Sequence, residues 1–313
     1  MDTLIVSLLN GTIYGLLLFM VSAGLTLIFG MMGVLNFAHA SFYMLGAYFA
    51  YALTDVLGFA LALVTATVLV GLVGVVVEKF FLRRVHHHGH AHELLLTFGL
   101  SFIIAELIKL FFGNFPVNYR LPHGLDFAAF TIGTASYPAY RIFMGVVAVA
   151  MFVVIYLLLT RTRVGIVVRS AIYRPRMAEA LGHNVPLVFM GVFGVGAALA
   201  GLAGAVAGAF YTTNPNMALE LGVMVFVVVV VGGLGSLEGA MLASLLIGVI
   251  TSLAVAVDTS LADLLAVFGA RSWAEGVGGL LTLKLSSLAA TLPFALMLLV
   301  LLVRPSGLLG EKA

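Results

Sequence analysis

The sequence predicts an all-α, polytopic transmembrane fold of about 8–9 membrane segments, two of them broken by glycine. Three observations carry that expectation. Of 313 residues, 63% are hydrophobic and 9% charged, against roughly half apolar and a quarter charged in a soluble domain. The apolar residues run in stretches near the ~20 residues that span a bilayer as a helix. The basic residues gather at the ends of those stretches, so a net charge of +2 carries no nucleic-acid message. The chain has no cysteine, which excludes disulfides and thiolate metal sites. Residues 1–313 read as a single membrane domain with a basic loop at 161–186.

Nine apolar segments follow in order: 4–30, 35–54, 59–82, 93–112, 141–160, 187–210, 217–232, 237–257 and 288–303. The opening M-D-T-L-I-V carries an acid and no Lys or Arg, unlike the basic start of a cleaved signal peptide. The most basic run fixes the sides. Arg161, Arg163, Arg169, Arg174 and Arg176 lie between two long apolar segments, and cytoplasmic loops carry the excess of Lys and Arg. Threading from there places Arg83, Arg84, Arg304 and Lys312 inside and the N-terminus outside. Of the fifteen Lys and Arg, Lys109, Arg120, Arg141, Arg271 and Lys284 fall outside, which leaves ten inside.

Within the basic loop, Pro175 suits a first helical position, Met177–Leu181 are strong helix formers, and Gly182 is a natural stop. A two-turn helix is unstable alone in water. It is expected to dock on its own membrane domain or on a soluble partner.

Two stretches interrupt otherwise apolar runs. Gly30–Tyr48 brings Asn36, His39 and Ser41 between segments one and two, and Val231–Ser244 brings Gly232, Gly233, Gly235 and Ser236 between segments seven and eight. Broken helices at matching places point to a transport site; glycines that simply permit close helix contact are the alternative. Asn36 and His39 are expected to project from the start of helix two on one face, opposite the glycine turn. In the sixth segment Gly196, Ala200, Gly204 and Gly208 recur every four residues, a small-residue stripe for helix packing. Asn184 before Pro186 reads as that segment's N-cap.

Other polar features have plainer readings. Arg83–His92 holds five of the eight histidines, with no carboxylate or thiolate among them, and reads as a polar turn rather than a metal site. Glu106 and Lys109 sit three apart and can pair. Glu238 suits a helix N-terminus. Outer loops 113–140 and 258–287, the second holding Asp258, Asp263, Arg271, Glu275 and Lys284, are too small for a binding domain; the mixed stretch Ser260–Leu288 is expected to lie at the outer interface, with Trp273 as its anchor.

Absences narrow the function. No lysine follows a glycine, so the G-x-x-x-x-G-K-[ST] phosphate loop is missing, as is H-E-x-x-H. Intramembrane acids and bases, the mark of ion-coupled pumps, are few. A permease driven by a separate ATPase, a secondary transporter or channel, and a structural membrane protein remain; the docking helix and absent relay favour the first.

Five runs then carry a family resemblance: G-V-L-N-F-A-H-A-S-F-Y-M-L-G-A-Y, L-T-F-G-L-S-F-I-I-A-E, G-x-x-x-R-S-A followed by M-A-E-A-L-G, V-G-G-L-G-S-L-E-G-A, and L-L-V-R-P-S-G-L-L-G. In this order, across nearly the whole chain, they resemble the bacterial high-affinity branched-chain amino acid ABC permeases. The resemblance implies a multi-pass bacterial inner-membrane subunit, not an enzyme, with no cofactor or metal of its own. The expected partners are a second homologous permease, two cytoplasmic ABC ATPases that bind the ATP, a periplasmic solute-binding protein and membrane lipid. Pro175, Met177, Ala178, Glu179, Ala180, Leu181 and Gly182 correspond to the ATPase-coupling helix. Leucine, isoleucine and valine are the expected cargo; relatives with similar signatures carry urea, short amides or other small solutes. The histidine-rich loop and the 258–287 stretch match none of these motifs.

Overall fold

The structure, a computed structural model, describes residues 2–133, 135–256, 259–260, 262–263, 271–277, 279 and 282–310. Asp258 lies outside the described residues. All nine apolar segments contain a helix. α1 (Asp2–Met32), α2 (His39–Leu57), α3 (Phe59–Val77), α4 (Arg83–Val85) and α5 (His90–Phe112) make the first half. α6 (Ala139–Arg161), α7 (Arg163–Tyr173), α8 (Pro175–Ala180), α9 (Val185–Gly208), α10 (Met217–Gly232) and α11 (Leu237–Ala256) follow, and the last apolar helix is Leu292–Val303. The chain is a multi-pass membrane protein. Among the described residues, six helices are long and apolar enough to cross a bilayer, while α10 and Leu292–Val303 are shorter.

Burial sorts these helices into layers. At 31 residues, α1 is about 46 Å long, well beyond the ~30 Å hydrocarbon core. It lies at the centre, with 78% of its most apolar stretch buried, against 28% for α3 and α6 and 17% for α5. Helices hydrophobic all round belong either in a protein core or against lipid, and only packing distinguishes the two. α9 is the second core helix, touching α1, α2 and α3. α2 is buried from His39 to Tyr48. Between α5 and α6, Ala128–Ile132 and Ala135–Pro138 pair as a small antiparallel hairpin, an addition to the all-α expectation.

Three boundaries move. The second helix starts at His39 rather than near residue 35. The third continues past Val77 as one turn of π-helix, Glu78–Leu82, where Arg83 forks onto the buried Glu78 carboxylate at 2.9 Å. The basic loop holds an extra helix, α7. Thr162 caps it, its hydroxyl accepting from Gly165 N at 3.2 Å. Asn184 does the same for α9, accepting from Leu187 N at 3.1 Å.

Candidate translocation site

The first break is a turn folded back into the protein. α1 ends at Met32, residues 33–36 are irregular, and α2 begins at His39. His39 Nε2 lies 2.9 Å from the Val21 carbonyl. Val21 precedes the end of α1 by about 16 Å of helix, so the turn sits at membrane depth. Irregular backbone is tolerated there only against protein or a watery cavity. Here the backbone is satisfied locally: Asn36 Oδ1 accepts from Ala38 N at 3.0 Å, and Thr97 Oγ1 accepts from Phe37 N at 3.2 Å. Asn36 thus caps the turn and does not project from a helical face beside His39. A short amide that can bond its own backbone favours a turn over continued helix.

Beside this turn lies a cavity of ≈ 280 Å³. Asn36, His39 and Ser41 line it, as do Phe98, Ser101 and Phe102 of α5 and Leu219, Gly222 and Phe226 of α10; among the described residues no Asp, Glu, Lys or Arg does. Phe37 stands at its side, edge-on to Phe98 and stacked on Phe226, both centroids 6.3 Å away. The α5 and α10 residues were not singled out from the sequence. Their signal was in L-T-F-G-L-S-F: Thr97 and Ser101, four apart, mark one polar face on an otherwise apolar helix.

Three polar atoms at this site lack partners. Asn36 Nδ2, His39 Nδ1 and Ser41 Oγ are buried without a hydrogen bond, on residues no more than 3% exposed. An orphaned buried polar atom costs about 1–3 kcal/mol, and these three belong to residues that line one cavity.

The second break packs elsewhere. A Cβ built on Gly235 would lie 2.8 Å from Gly30 Cα, and one on Gly232 would lie 2.5 Å from the Gly239 carbonyl carbon. Gly233 abuts the tail, where Leu308 N and Leu309 N donate to the carbonyls of Val231 and Gly232 at 2.8 and 3.0 Å. Ser236 Oγ caps α11, accepting from Gly239 N at 3.0 Å, with Glu238 in the same first turn. The two breaks therefore meet at Gly30–Gly235, but Gly232, Gly233, Gly235 and Ser236 do not line the cavity. The three glycines' lack of side chains is used for backbone contact between α1, α10, α11 and the tail.

The α9 stripe splits between two neighbours. Gly196 faces Ile28 of α1, whereas Gly204 and Gly208 press on Tyr43 and Ala47 of α2. A Cβ on Gly204 would overlap the Tyr43 carbonyl. Ala200 is fully buried in the same interface region.

At the Arg-rich end, α8 has the predicted start and stop. Gly182 adopts φ +87°, and Gly182 N and His183 N donate to the carbonyls of Glu179 and Ala178 at 2.9 and 3.0 Å. That pair of bonds is the Schellman closure, which requires the left-handed residue that glycine supplies. Ala178 is 2% exposed and packs with Ala171 and Val185, so it anchors α8 to α7 and α9. Met177 (56% exposed) and Leu181 (74%) point outward instead, with Glu179, Ala180 and Gly182 also exposed.

The histidine loop acquires a carboxylate from the next helix. Glu93, 1% exposed, pairs with His86 Nδ1 and, at 3.2 Å, with His90 Nδ1. Thr97 bonds the Glu93 carbonyl at 3.0 Å, joining this cluster through α5 to the Phe37 turn. Among the described residues no group of three or more His, Asp or Glu is placed to hold a metal ion. Lys109 and Glu106 pair at 2.6 Å on the exposed face of α5.

Comparison with known proteins fits this architecture. Residues 7–302 match the family model "Branched-chain amino acid transport system / permease component". The chain is 27% identical to the "High-affinity branched-chain amino acid transport system permease protein LivH" of Escherichia coli K12, covering 96% of this chain and 94% of that one. It is also 27% identical to BraD of Pseudomonas aeruginosa, with the same description, over 97% and 95%. A probable LivH of Methanocaldococcus jannaschii is 27% identical over 77% and 78%. The structure of PsaBC from Streptococcus pneumoniae in complex with Fab overlays with a TM-score of 0.45 at 13% identity, covering 95% and 91%. The match to the family model over residues 7–302 decides the family: the chain belongs to the branched-chain amino acid transport permease components, which are membrane transport subunits and not enzymes.

Proposed function

We propose that this chain is the permease subunit of an ATP-driven importer in the bacterial inner membrane, and that its cargo is leucine, isoleucine or valine. The observation that carries the reading is the charge-free, aromatic-walled cavity beside the broken helix. Such a wall accommodates an aliphatic side chain. The names of the relatives support the same cargo. The energy source is external: the buried acids Glu78 and Glu93 lie outside the cavity and are paired with Arg83, His86 and His90. An ion-coupled transporter needs an ionisable group in its path; among the described residues the cavity holds only His39, whose Nε2 is already committed to the Val21 carbonyl. Two cytoplasmic ATPases would engage α8 through exposed Met177, Glu179, Ala180 and Leu181, while Ala178 holds that helix to the membrane domain. A second homologous permease would close the cavity's open side, where Phe98, Phe102, Leu219 and Val223 are each about half exposed. A periplasmic binding protein would deliver cargo, and lipid would cover the outer faces of α3, α5 and α6.

The runner-up cargo, urea or a short amide, has no apolar body to fill the phenylalanine wall. The test is uptake by the complete complex in proteoliposomes. ATP-dependent accumulation of labelled leucine, competed by isoleucine and valine and untouched by excess urea, is expected. Leucine uptake that follows an imposed ion gradient without ATP sinks the importer reading. Accumulation of urea but not leucine replaces the cargo.

A further inference from the structure

We propose that Asn36 and His39 form a donor–acceptor pair of fixed polarity, by which the permease itself requires both ends of an α-amino acid. The inference rests on the reading of the cavity as the cargo path. Its warrant is what the two side chains already bind. The Ala38 N–H can only donate, so the Asn36 atom 3.0 Å from it is the carbonyl oxygen, and the free atom is the NH₂, a donor. The Val21 carbonyl can only accept, so the His39 Nε2 it faces at 2.9 Å carries the hydrogen. In the neutral ring Nδ1 is then a bare acceptor. Both free atoms are buried and unpartnered. Neither side chain can reverse its polarity without losing its backbone bond. Ser41 Oγ, also unpartnered, can serve either role.

A carboxylate only accepts and an ammonium only donates, so a zwitterion satisfies the pair in one orientation: carboxylate on Asn36, ammonium on His39. The α-keto acid with leucine's carbon skeleton has no donor and leaves His39 Nδ1 empty. A site built to hydrogen-bond a group discriminates strongly against the analogue that lacks it. The permease would therefore reject the keto acid independently of any binding protein. Both atoms are closed to water in this conformation, so engagement requires the 33–38 turn to shift.

The experiment uses the full chain in nanodiscs with ¹⁵N-labelled histidine rings, the His39 signals assigned by their loss in His39→Asn. Without ligand, Nδ1 should be bare and Nε2 protonated. Leucine should displace the Nδ1 resonance. The keto acid 4-methyl-2-oxopentanoate should need roughly 100-fold more ligand for the same displacement, the upper end of leaving one buried acceptor unsatisfied, or produce none, and Asn36→Leu should weaken the leucine response. An Nδ1–H tautomer, a doubly protonated ring, no response to leucine, or an equal response to the keto acid overturns the pair. A separate variant tests the underlying path. Gly222 lines the cavity and a Cβ there would sit 3.4 Å from Ala40 Cβ. Normal uptake by Gly222→Leu removes the cavity from the path and the pair with it. Blocked uptake with a failed tautomer or keto-acid test removes only the pair.

Discussion

Gly235→Ala separates a packing role for the second break from a role in the path. Gly235 has φ +89°, a conformation that costs an L-residue roughly 1–2 kcal/mol. Its added Cβ would lie 2.8 Å from Gly30 Cα and 3.5 Å from Gly30 N, whereas carbon atoms rest ~3.5–4.0 Å apart. The nearer neighbour is backbone, so α1 or the turn must retreat by about 0.7 Å or more. Overpacking of that kind costs about 1–3 kcal/mol. The sum is about 2–5 kcal/mol, and at roughly 2–4 °C per kcal/mol the melting midpoint should fall by at least ~4 °C. Gly222→Ala is the control: helical, with ordinary contact at 3.4 Å to Ala40 Cβ, it gains up to ~1 kcal/mol of helix propensity. The assay is thermal unfolding of the purified permease in detergent, read by size-exclusion recovery, with uptake per assembled complex measured beside it. Gly235→Ala should melt early yet transport normally once assembled. An unchanged midpoint, or a normal midpoint with lost uptake, refutes the packing argument and returns the glycine turn to the pathway.

Further outcomes are expected elsewhere in the molecule. Ala180→Arg, on the exposed side of α8, should leave the permease folded while abolishing substrate-stimulated ATP hydrolysis in the assembled complex; retained stimulation would show that α8 is not the coupling element. Ala178→Arg should instead destabilise the permease by several kcal/mol, because it forces a charge among Ala171 and Val185, and lower yield before assembly is the readout. A single cysteine at Arg174 should resist an impermeant thiol reagent in intact cells while one at Asp126 reacts; labelling at 174 would invert the topology. Glu93→Gln removes the ion-pair acceptor for His86 and His90 and should cost about 1–3 kcal/mol, seen as faster amide exchange across residues 83–97. Exchange that stays at the wild-type rate would deny the cluster any structural weight.

The sequence by itself determined the membrane class, the position of each apolar helix and the ends of α8 and α9. These are local properties. Segment length, a proline at a first turn, an asparagine before it and a glycine at φ +87° act within a few residues, so they survive without tertiary context. It also located the two breaks, because glycine and polar residues in an apolar run are visible wherever the chain goes. What each break does was decided only in three dimensions. Asn36 was legible as polar at membrane depth, but its bond to Ala38 N depends on where α2 begins. Gly235 and Asn36 looked alike as interruptions, yet one meets Gly30 backbone and the other lines a cavity. The cavity's remaining wall comes from α5 and α10, distant in sequence and, in a membrane, no more apolar on their functional face than on their lipid face. Hydropathy cannot rank the faces of a helix when the solvent is itself apolar. For the same reason nothing in α1 announced that it would be the buried centre while α5 faced outward. Glu93 and His86, seven residues apart across Gly89, were likewise joined only by the fold, since their pairing requires the chain to turn between them.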